Sequence, residues 1–466
     1  MRNEQEVDHP EEACGIFGIW APGTTVALHT YFALVSLQHR GQESAGMVLA
    51  QDKSLSLHKG QGLVTDVFQN SSLLHEIGQG AIGHVRYTSY KKSPLENSQP
   101  LLLQYKMGQL ALAHNGNLIN AEQLRRDLEA RGSIFQSDID LEVMAHLISR
   151  SNFETVETAV TEAAQRVQGG YAMVFLTQDK LLAIRDPNGL RPLCLGKIDQ
   201  HYVVASESCA LDAINAQFIR EIRPGEGVII DDKGLRSFQA APAGRHSFCA
   251  FEFIYFARPD SNFYDHNVHA IRRVLGKKLA EESHVEADLV IGVPDSSISA
   301  AIGYAEACDL PYEMGLIKNR YLGRTFIKPS PEARTTAVRM KLNPIEHIVQ
   351  GKRVILVDDS IVRGTTTKHI IRLLKEVGAK EVHVRITSPP YSFPCPYGID
   401  TATRGELIAA NNSIEEIRQT IQADSLHYLK QETLEDIFKK NNIPICSACF
   451  DADYPVRLPE LTIEKG

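Results

Sequence analysis

Cys14 is the residue whose surroundings most directly suggest covalent chemistry. It opens the run Cys14-Gly15-Ile16-Phe17-Gly18-Ile19 and follows the polar, acidic segment 1–13. If the bond before Cys14 is cut, one residue carries both a thiol and a free α-amine. An α-amine, with a pKa of about 8, can take the proton that keeps a thiol a poor nucleophile. Cys14 is therefore a candidate nucleophile with its own base, and a small cysteine packed under a first strand is the alternative.

Short downstream segments carry the other groups that acyl transfer from an amide requires. Asn115-Gly116 follows the predicted strand 110–114 and is interpreted as a hairpin-type turn, which offers an amide side chain and a backbone N–H to a developing oxyanion. Arg86, on the predicted strand 81–87, can hold a carboxylate in a two-pronged contact. Asp138 precedes a predicted helix, where it is either an N-cap or the partner of a substrate α-ammonium group.

A second motif follows a buried strand later in the chain. The apolar run 354–357 ends in Asp358 and Asp359, and the turn Arg363-Gly364-Thr365-Thr366-Thr367 then opens a predicted helix. Carboxylates there can hold ribose hydroxyls or a Mg²⁺ shell, and the turn can receive a phosphate at the helix N-terminus. An ordinary strand–loop–helix with solvated aspartates is the alternative. The loop Asp295-Ser296-Ser297 follows another strand and suits a second phosphoryl group.

The elements that must position these residues fall into parts of different texture. Within 14–247, short β-rich runs alternate with helical periods, which predicts antiparallel sheets layered with helices. Within 263–403, strands alternate with helices, which predicts a parallel sheet covered on both faces. The remainder, 404–466, is helical in period as far as residue 441 and ends in a C-x-x-C pair. The polar, basic stretch 318–343 is predicted to be a mobile functional loop.

Composition narrows the partners and the compartment. The 466-residue chain has a net charge of −8, with no Lys/Arg tail and no aromatic-basic stripe, which argues against nucleic acid or an anionic membrane as partner. No apolar run approaches the roughly 20 residues that span a bilayer, and segment 1–13 is too acidic for a signal peptide. We therefore expect a cytoplasmic protein. Its 8 cysteines are too sparse for a disulfide scaffold and point to catalysis, metal binding or packing.

The first part resembles the glutamine-hydrolysing domain of the N-terminal-nucleophile amidotransferases. The resemblance rests on CGIFGI from Cys14, QHRGQESAG (38–46), GHVRYTS (83–89), HNGNL (114–118), SDIDLEV (137–143) and RDPNGLRPL (185–193). It implies a four-layer αββα sandwich in which Cys14 attacks the side-chain amide of glutamine. It also implies that Asn115 and Gly116 hold the oxyanion and that Arg86 and Asp138 bind the amino-acid end of the substrate.

The second part resembles the type I phosphoribosyltransferases, whose substrate is 5-phosphoribosyl-1-pyrophosphate. The resemblance covers roughly residues 263–390 and implies that Asp358 and Asp359 bind the ribose and Mg²⁺, with Ser296 as a further magnesium contact. The resemblance also implies that the 5-phosphate is bound by Arg363, Gly364, Thr365, Thr366 and Thr367. It implies that Asp295, Ser296 and Ser297 bind the pyrophosphate. It further implies that residues 318–326 form a lid over the substrate, in which Lys318 and Arg320 contact phosphate.

The order of the two parts resembles the glutamine phosphoribosylpyrophosphate amidotransferase family. That family implies an enzyme that makes 5-phosphoribosylamine, glutamate and pyrophosphate in the committing step of purine nucleotide synthesis. Ammonia is mostly protonated in neutral water, so we expect a sheltered path between the two sites. A sugar-phosphate amidotransferase would need an isomerase second part, which the motif at 358–367 argues against. A phosphoribosyl pyrophosphate sensor with a spent hydrolase domain is the other alternative.

The cysteines indicate a subgroup of that family. Cys249, Cys395, Cys446 and Cys449 stand where members that carry a 4Fe-4S cluster have its ligands. By ligand type alone, structural zinc suits four thiolates equally well, and a bare C-x-x-C could be a redox pair. Cluster-bearing members also carry a cleaved propeptide, as segment 1–13 suggests here. The other cysteines, Cys194, Cys209 and Cys308, are predicted to pack. The family further implies a homotetramer inhibited by purine nucleotides.

Overall fold

The structure is a computed structural model that describes residues 14–69, 72–87, 94–319, 342–399 and 403–458. Segment 1–13 and residues 320–326 of the predicted lid, which include Arg320, lie outside these ranges. Within them, no helix has both the length and the apolar character needed to cross a bilayer.

The first part of the chain forms two stacked antiparallel sheets. Their strands are β1 (Gly15–Thr24), β2 (Ser44–Gln51), β3 (Ser54–Gln61), β4 (Gly78–Arg86), β5 (Leu101–Tyr105), β6 (Gly108–Leu118), β7 (Gly169–Leu176), β8 (Lys180–Arg185), β9 (Cys194–Ile198), β10 (His201–Ala205), β11 (Gln217–Glu221), β12 (Glu226–Asp231) and β13 (Gly234–Gln239). One sheet has the order β11-β9-β10-β1-β4-β2-β3 and the other the order β13-β12-β8-β7-β6-β5. The central strand of the first sheet, β1, alternates its faces: Ile16 and Trp20 pack between the sheets, and Phe17 and Ile19 face outward.

Helices cover the outer face of each sheet. They are α1 (Val26–Ser36), α2 (Val64–Val67), α3 (Ala121–Glu129), α4 (Leu141–Arg150), α5 (Val156–Ala164) and α6 (Ser208–Asp212). Apolar residues of α1 and α6 pack on the first sheet, and those of α3, α4 and α5 pack on the second. The layers therefore run helix, sheet, sheet, helix, and the predicted αββα sandwich is confirmed.

The second part is built on a parallel sheet. Its strands and the short strands around it are β14 (Phe248–Cys249), β15 (Asn262–Phe263), β16 (His266–Asn267), β17 (Leu289–Gly292), β18 (Leu316–Lys318), β19 (Leu342–Pro344), β20 (Arg353–Asp358), β21 (Glu381–Ile386), β22 (Ser425–Tyr428) and β23 (Ile445–Cys446). The parallel order is β17-β20-β21-β22. The neighbouring helices are α7 (Val268–Glu282), α8 (Ile298–Cys308), α9 (Glu346–Val349), α10 (Thr365–Glu376), α11 (Ile408–Asn411), α12 (Ile414–Ile421), α13 (Gln431–Lys440) and α14 (Ala448–Asp451).

Both faces of this sheet are buried, as its continuous apolar strands predict. From β20, Ile355 and Val357 pack toward α7 and α8, whereas Val354 and Leu356 pack toward α10 and α12. The helical prediction for 404–441 is wrong at β22, which pairs in parallel with β21. A four-residue strand between helices is too short to show a period of two, so its pairing partner decides its conformation.

Candidate active site

Cys14 lies at the entrance to the central strand of the first sheet. Its neighbour Gly15 begins β1 and pairs with Val85 of β4. Since β4 ends at Arg86, the start of β1 and the end of β4 bring Cys14 and Arg86 to the same edge of the sheet. The two motifs that the sequence placed far apart are therefore neighbours in the fold.

The thiol of Cys14 is held in a protonated form by its surroundings. Burial raises the pKa of Cys14, while a backbone hydrogen bond with Tyr87 and the charges of Arg86, Arg40 and Arg191 lower it without cancelling that effect. The Sγ atom lies 4.0 Å from the carbonyl oxygen of Tyr87. Because only the thiolate is strongly nucleophilic, this cysteine requires a nearby base.

Arg40 fixes the backbone of Cys14 and was missed by the sequence analysis. Its Nε donates to the carbonyl oxygen of Cys14 at 3.2 Å. The guanidinium pairs with Glu207 at 2.5 Å and with Glu252 at 2.7 Å, and all three side chains are no more than 1% exposed. Although burial raises it, the pKa of Glu207 is held well below its usual range by His39 and Arg40. Arg40 lies in the motif 38–46, and that motif was its only signal.

Asn115 and Gly116 lie inside a strand, so the predicted hairpin turn is wrong. β6 continues through both residues and pairs Gly116 with Tyr171 of β7. Gly116 has φ +130°, and a Cβ there would lie 2.0 Å from the carbonyl oxygen of Gly170. Asn115 is fully buried, yet neither atom of its amide has a hydrogen-bond partner among the described residues. Since buried amides are normally paired, this one is available to a ligand.

A buried polar network links the two sheets next to Asn115. His84 Nε2 lies 3.1 Å from the carbonyl oxygen of His114, and burial holds the pKa of His84 well below its usual range. His114 Nε2 lies 3.2 Å from Asp140, whose carboxylate accepts the backbone N–H of Leu118 at 2.7 Å. Gln99 accepts the backbone N–H of His114 at 2.8 Å. These contacts hold β6 at His114 and at Leu118, on either side of Asn115 and Gly116.

The predicted amino-acid contacts take different places. Asp138 is exposed and does not cap α4, whose N-cap is Asp140, so that alternative is wrong. Asp138 lines a cavity of about 380 Å³ together with Asn117 and Pro396. Arg86 is not among the residues that line this cavity, and its Nη1 lies 3.7 Å from the Glu43 carboxylate.

In the second part, the two predicted loops meet at the carboxyl ends of adjacent strands. The Ser297 hydroxyl donates to Asp358 at 3.0 Å, and the Ser296 hydroxyl donates to Asp359 at 2.6 Å. Asp358 is fully buried and Asp359 is 1% exposed. Because β17 and β20 are parallel neighbours, their ends place both loops at one edge of the sheet.

The predicted phosphate turn has the geometry that its sequence requires. Gly364 has φ +78° and caps α10, and a Cβ there would lie 3.0 Å from Ile408 Cδ1. The threonines at 365–367 form the first turn of α10, so their backbone N–H groups lie at a helix N-terminus. This turn follows β20 and therefore lies beside the aspartates.

Two of the predicted basic phosphate contacts, Arg363 and Lys318, lie near acidic side chains around this edge of the sheet. Arg363 Nη2 lies 3.6 Å from Glu406, and Lys318 Nζ lies 3.4 Å from Asp295 of the second loop. Lys318 and Asp295 are thus brought together as predicted neighbours of one ligand, whereas Arg320 lies outside the described residues.

Arg272 is a second charged residue that the sequence analysis missed. It is 2% exposed, and its guanidinium donates to the backbone carbonyls of Phe253 at 2.7 Å and Ala257 at 2.9 Å. Burial lowers the pKa of Arg272 to about 10, with the charge of Asp359 opposing the shift. It therefore stays positive at neutral pH and offsets the negative charge of the aspartates.

Four cysteines surround one small cavity at the junction of the two parts. Its walls include Leu190, Arg191, Tyr397, Tyr454 and all of Cys249, Cys395, Cys446 and Cys449. β14 and β23 bring Cys249 opposite Cys446. No group of three or more His, Cys, Asp or Glu side chains in the described ranges is arranged to hold a single metal ion. The remaining cysteines pack: Cys194 and Cys209 are buried in the first core, and Cys308 packs against the second.

Both parts of the chain match known domain families. Residues 84–213 match the glutamine amidotransferase domain, and residues 261–387 match the phosphoribosyl transferase domain. The first match includes Arg86, Asn115, Gly116 and Asp138 but begins after Cys14, and the second includes residues 295–297 and 358–367.

Whole-chain relatives combine the same two domains. The chain is 52% identical over 463 residues to an amidophosphoribosyltransferase from Bacillus subtilis, covering 98% of this chain and 97% of the relative. It is 46% identical to one from Synechococcus elongatus, covering 97% and 93%. A solved structure of glutamine phosphoribosylpyrophosphate amidotransferase from B. subtilis, complexed with ADP and GMP, matches with a TM-score of 0.90 and 53% identity over 96% of this chain and 98% of that one. A structure described as the allosteric regulatory enzyme of purine biosynthesis matches with a TM-score of 0.92 and 53% identity over 96% and 97%.

Proposed function

The chain belongs to the amidophosphoribosyltransferase family, and from this premise we propose that Cys14 is its glutamine nucleophile and that Asp358 and Asp359 lie at its ribosyl-transfer centre. The enzyme hydrolyses glutamine and transfers the ammonia to phosphoribosyl pyrophosphate, which gives 5-phosphoribosylamine, glutamate and pyrophosphate. This is the first committed step of purine nucleotide synthesis.

At the first centre, the Cys14 sulfur attacks the side-chain carbonyl carbon of glutamine while the α-amine of Cys14 takes the thiol proton. The negative oxygen that forms accepts hydrogen bonds from the Asn115 amide and the Gly116 N–H. Its collapse breaks the C–N bond, and the α-ammonium returns the proton to the leaving ammonia. Water then hydrolyses the thioester and releases glutamate. The observation that carries this assignment is the buried amide of Asn115, which has no hydrogen-bond partner among the residues that the structure describes.

This mechanism requires a free α-amine, and we therefore propose that segment 1–13 is removed. The intact mass of the purified protein tests the proposal, since removal of these residues lowers the mass by one defined amount. If a chain that retains residue 1 hydrolyses glutamine at full rate, the amine does not act as the base.

The amino-acid end of glutamine is assigned to Arg86 and Asp138. Arg86 ends β4 beside Cys14, and Asp138 faces the cavity next to β6. Steady-state assays test whether these two side chains contact glutamine. Arg86→Gln and Asp138→Asn are each expected to raise the KM for glutamine at least about 10-fold, because each removes a charge-assisted contact. An unchanged KM would reject the assignment.

At the second centre, the loop Asp295–Ser297 and Lys318 are assigned to the pyrophosphate, and Arg363 with the turn 364–367 to the 5-phosphate. Asp358 and Asp359, with the Ser296 hydroxyl, would hold the ribose hydroxyls and Mg²⁺, because carboxylate and hydroxyl oxygens suit this ion. When bound, Mg²⁺ neutralises charge on the departing pyrophosphate. Ammonia attacks the anomeric carbon as pyrophosphate leaves. The helix N-terminus and the pairing of Lys318 with Asp295 support these places.

We propose a 4Fe-4S cluster for the cavity that the four cysteines surround. Four thiolates would also suit a single zinc ion, so the ligand type leaves both groups open. Support for the cluster comes from the positions of these four cysteines, which stand where cluster-bearing members have its ligands and which border one cavity from three segments of the chain. When bound, the cluster ties these segments together. Iron and sulfide analysis with a visible spectrum tests this, and stoichiometric zinc would contradict it.

Purine nucleotides are proposed as inhibitors and a homotetramer as the assembly. The relative that was solved with ADP and GMP supports the first proposal for this chain. Inhibition of ammonia-dependent synthesis by GMP tests it without involving Cys14. Light scattering tests the assembly, and a monomer at assay concentration would reject it.

A further inference from the structure

A segment of the second part, Pro396–Gly398, lies against the strand that carries Asn115 and Gly116. The Asn117 side chain donates to the carbonyl oxygen of Pro396 at 2.8 Å. A Cβ on Gly398 would lie 2.5 Å from the carbonyl carbon of Gly116 and 2.8 Å from its Cα. Backbone therefore packs directly on backbone at this contact, with no side chain between the two segments.

This segment is itself firmly held. Buried Arg191 donates to the carbonyl oxygen of Tyr397 through Nε at 2.9 Å and through Nη2 at 2.5 Å. The Tyr397 hydroxyl donates to the carbonyl oxygen of Val456 at 2.9 Å and accepts its N–H at 3.1 Å. A Cβ on Gly170 would lie 3.0 Å from Tyr397 Cβ, so the segment also rests on β7. Its position is thus fixed by contacts on several sides.

The strand that it touches needs such support. β5 pairs with β6 only as far as Leu112, so from residue 113 onward the regular strand pairing of β6 is with β7 alone. Gly116 also has φ +130°, a conformation outside the ordinary strand region. An oxyanion donor must stay within a few tenths of an ångström of its place, since a displacement of about 1 Å costs about 10²-fold in rate.

We propose that Pro396–Gly398 is a positioning segment for glutamine hydrolysis, which holds Gly116 between itself and β7 so that the oxyanion donors stay aligned. The positioning residues are Gly398 in this segment and Asn117 on β6, which binds the segment through the carbonyl oxygen of Pro396. This inference rests on the proposed roles of Cys14, Asn115 and Gly116. It makes the hydrolytic site of the first part incomplete without a piece of the second.

Gly398→Ala tests the proposal directly, because the new Cβ must push Gly116 away. We expect the glutaminase kcat to fall by about 10- to 100-fold, with the KM for glutamine changed by less than about threefold. Ammonia-dependent synthesis is expected to stay within about twofold of the parent enzyme. Gly234→Ala is the matched control: its φ is +91°, close to the +95° of Gly398, and nothing lies within 4 Å of its Cβ position.

Asn117→Ala provides a second variant that introduces no clash, with an expected fall in kcat of about 10-fold. Alkylation of Cys14 by iodoacetamide, followed by peptide mass spectrometry, separates positioning from general damage. It needs no oxyanion, so both variants are expected to alkylate at the parental rate. Slowed alkylation in step with slowed hydrolysis, or full hydrolysis in both variants, would overturn the proposal. If Asn115→Ala also keeps full hydrolysis, the proposed function fails as well; if only Asn115→Ala loses it, this inference alone fails.

Discussion

Asn115 should show opposite effects of one substitution on activity and on stability. Its amide is fully buried, and neither polar atom has a partner in the described part of the chain. An unpaired buried polar group costs about 1–3 kcal/mol, so the folded enzyme carries this cost until substrate arrives. Replacing Asn115 with leucine keeps the approximate volume of the side chain and removes both unpaired atoms.

The sizes of the two effects follow from the lost oxyanion donor and from the removal of two unpaired buried atoms. Loss of one oxyanion donor lowers kcat by about 10²–10³-fold, or about 2.7–4 kcal/mol of transition-state stabilisation. The free energy of unfolding of Asn115→Leu should instead rise by about 1–2 kcal/mol, since desolvation is relieved and no cavity forms. The KM for glutamine should change little, because the lost hydrogen bond forms only as negative charge develops on the oxygen.

Gln99 is the matched control for this experiment. It is a second buried amide in the same layer, but it accepts the His114 N–H at 2.8 Å. Gln99→Leu leaves that donor unpaired and is expected to destabilise the fold by about 1–3 kcal/mol. Urea denaturation and steady-state glutaminase assays on both variants supply the measurements. A loss of stability in Asn115→Leu as large as in Gln99→Leu would refute the reasoning, and so would an undiminished kcat.

Three further predictions address buried charged and titratable side chains. Arg40→Met removes the cation that two buried carboxylates share, although His39 still pairs with Glu207 and Arg191 Nη1 lies 3.8 Å from Glu252. It should lower the free energy of unfolding by about 3–5 kcal/mol, whereas Arg220→Met, at a partly exposed pair, should cost less than about 1 kcal/mol. Equal losses in denaturation would contradict this. The pKa of His84 is lowered in the folded state, so below its usual pKa of about 6.5 the unfolded chain binds more protons and the folded state loses stability as pH falls. Between pH 7.5 and 5.5, the free energy of unfolding of His84→Gln should therefore fall by about 1.4 kcal/mol less than that of the parent. Parallel curves of this free energy against pH would exclude the effect. Asp358→Ala should abolish synthesis from either glutamine or ammonia while Cys14 still alkylates, and surviving ammonia-dependent synthesis would remove Asp358 from the reaction.

Much of the architecture could be predicted because periodicity is a local property. Apolar strands in 263–403 predicted a sheet buried on both faces, and the loops at Asp295–Ser297 and Asp358–Asp359 meet because adjacent parallel strands end at one edge. The Asn115-Gly116 dipeptide misled because its usual turn preference is overridden here by pairing with β7. The types of these two residues suggested oxyanion donors, but their preference for turns gave the wrong local conformation.

The missed residues act through contacts between distant parts of the chain. Arg40 reaches Glu252, which is 212 residues away, and Asn117 reaches Pro396, which is 279 residues away. Neither pair shares a helix face or a hairpin, so no spacing rule connects them. Gly398 likewise has no local signal for its role, since its importance comes from the backbone of Gly116.

The central claim is that Cys14 releases the nitrogen that the second centre uses. Cys14→Ala, assayed for phosphoribosylamine formation with glutamine and separately with ammonia, tests it most directly. Glutamine-dependent synthesis is expected to fall by about 10³-fold or more, as for loss of a nucleophile, while ammonia-dependent synthesis is expected to stay within about twofold of the parent. Retained synthesis from glutamine, or an equal loss with both donors in a folded variant, would contradict it.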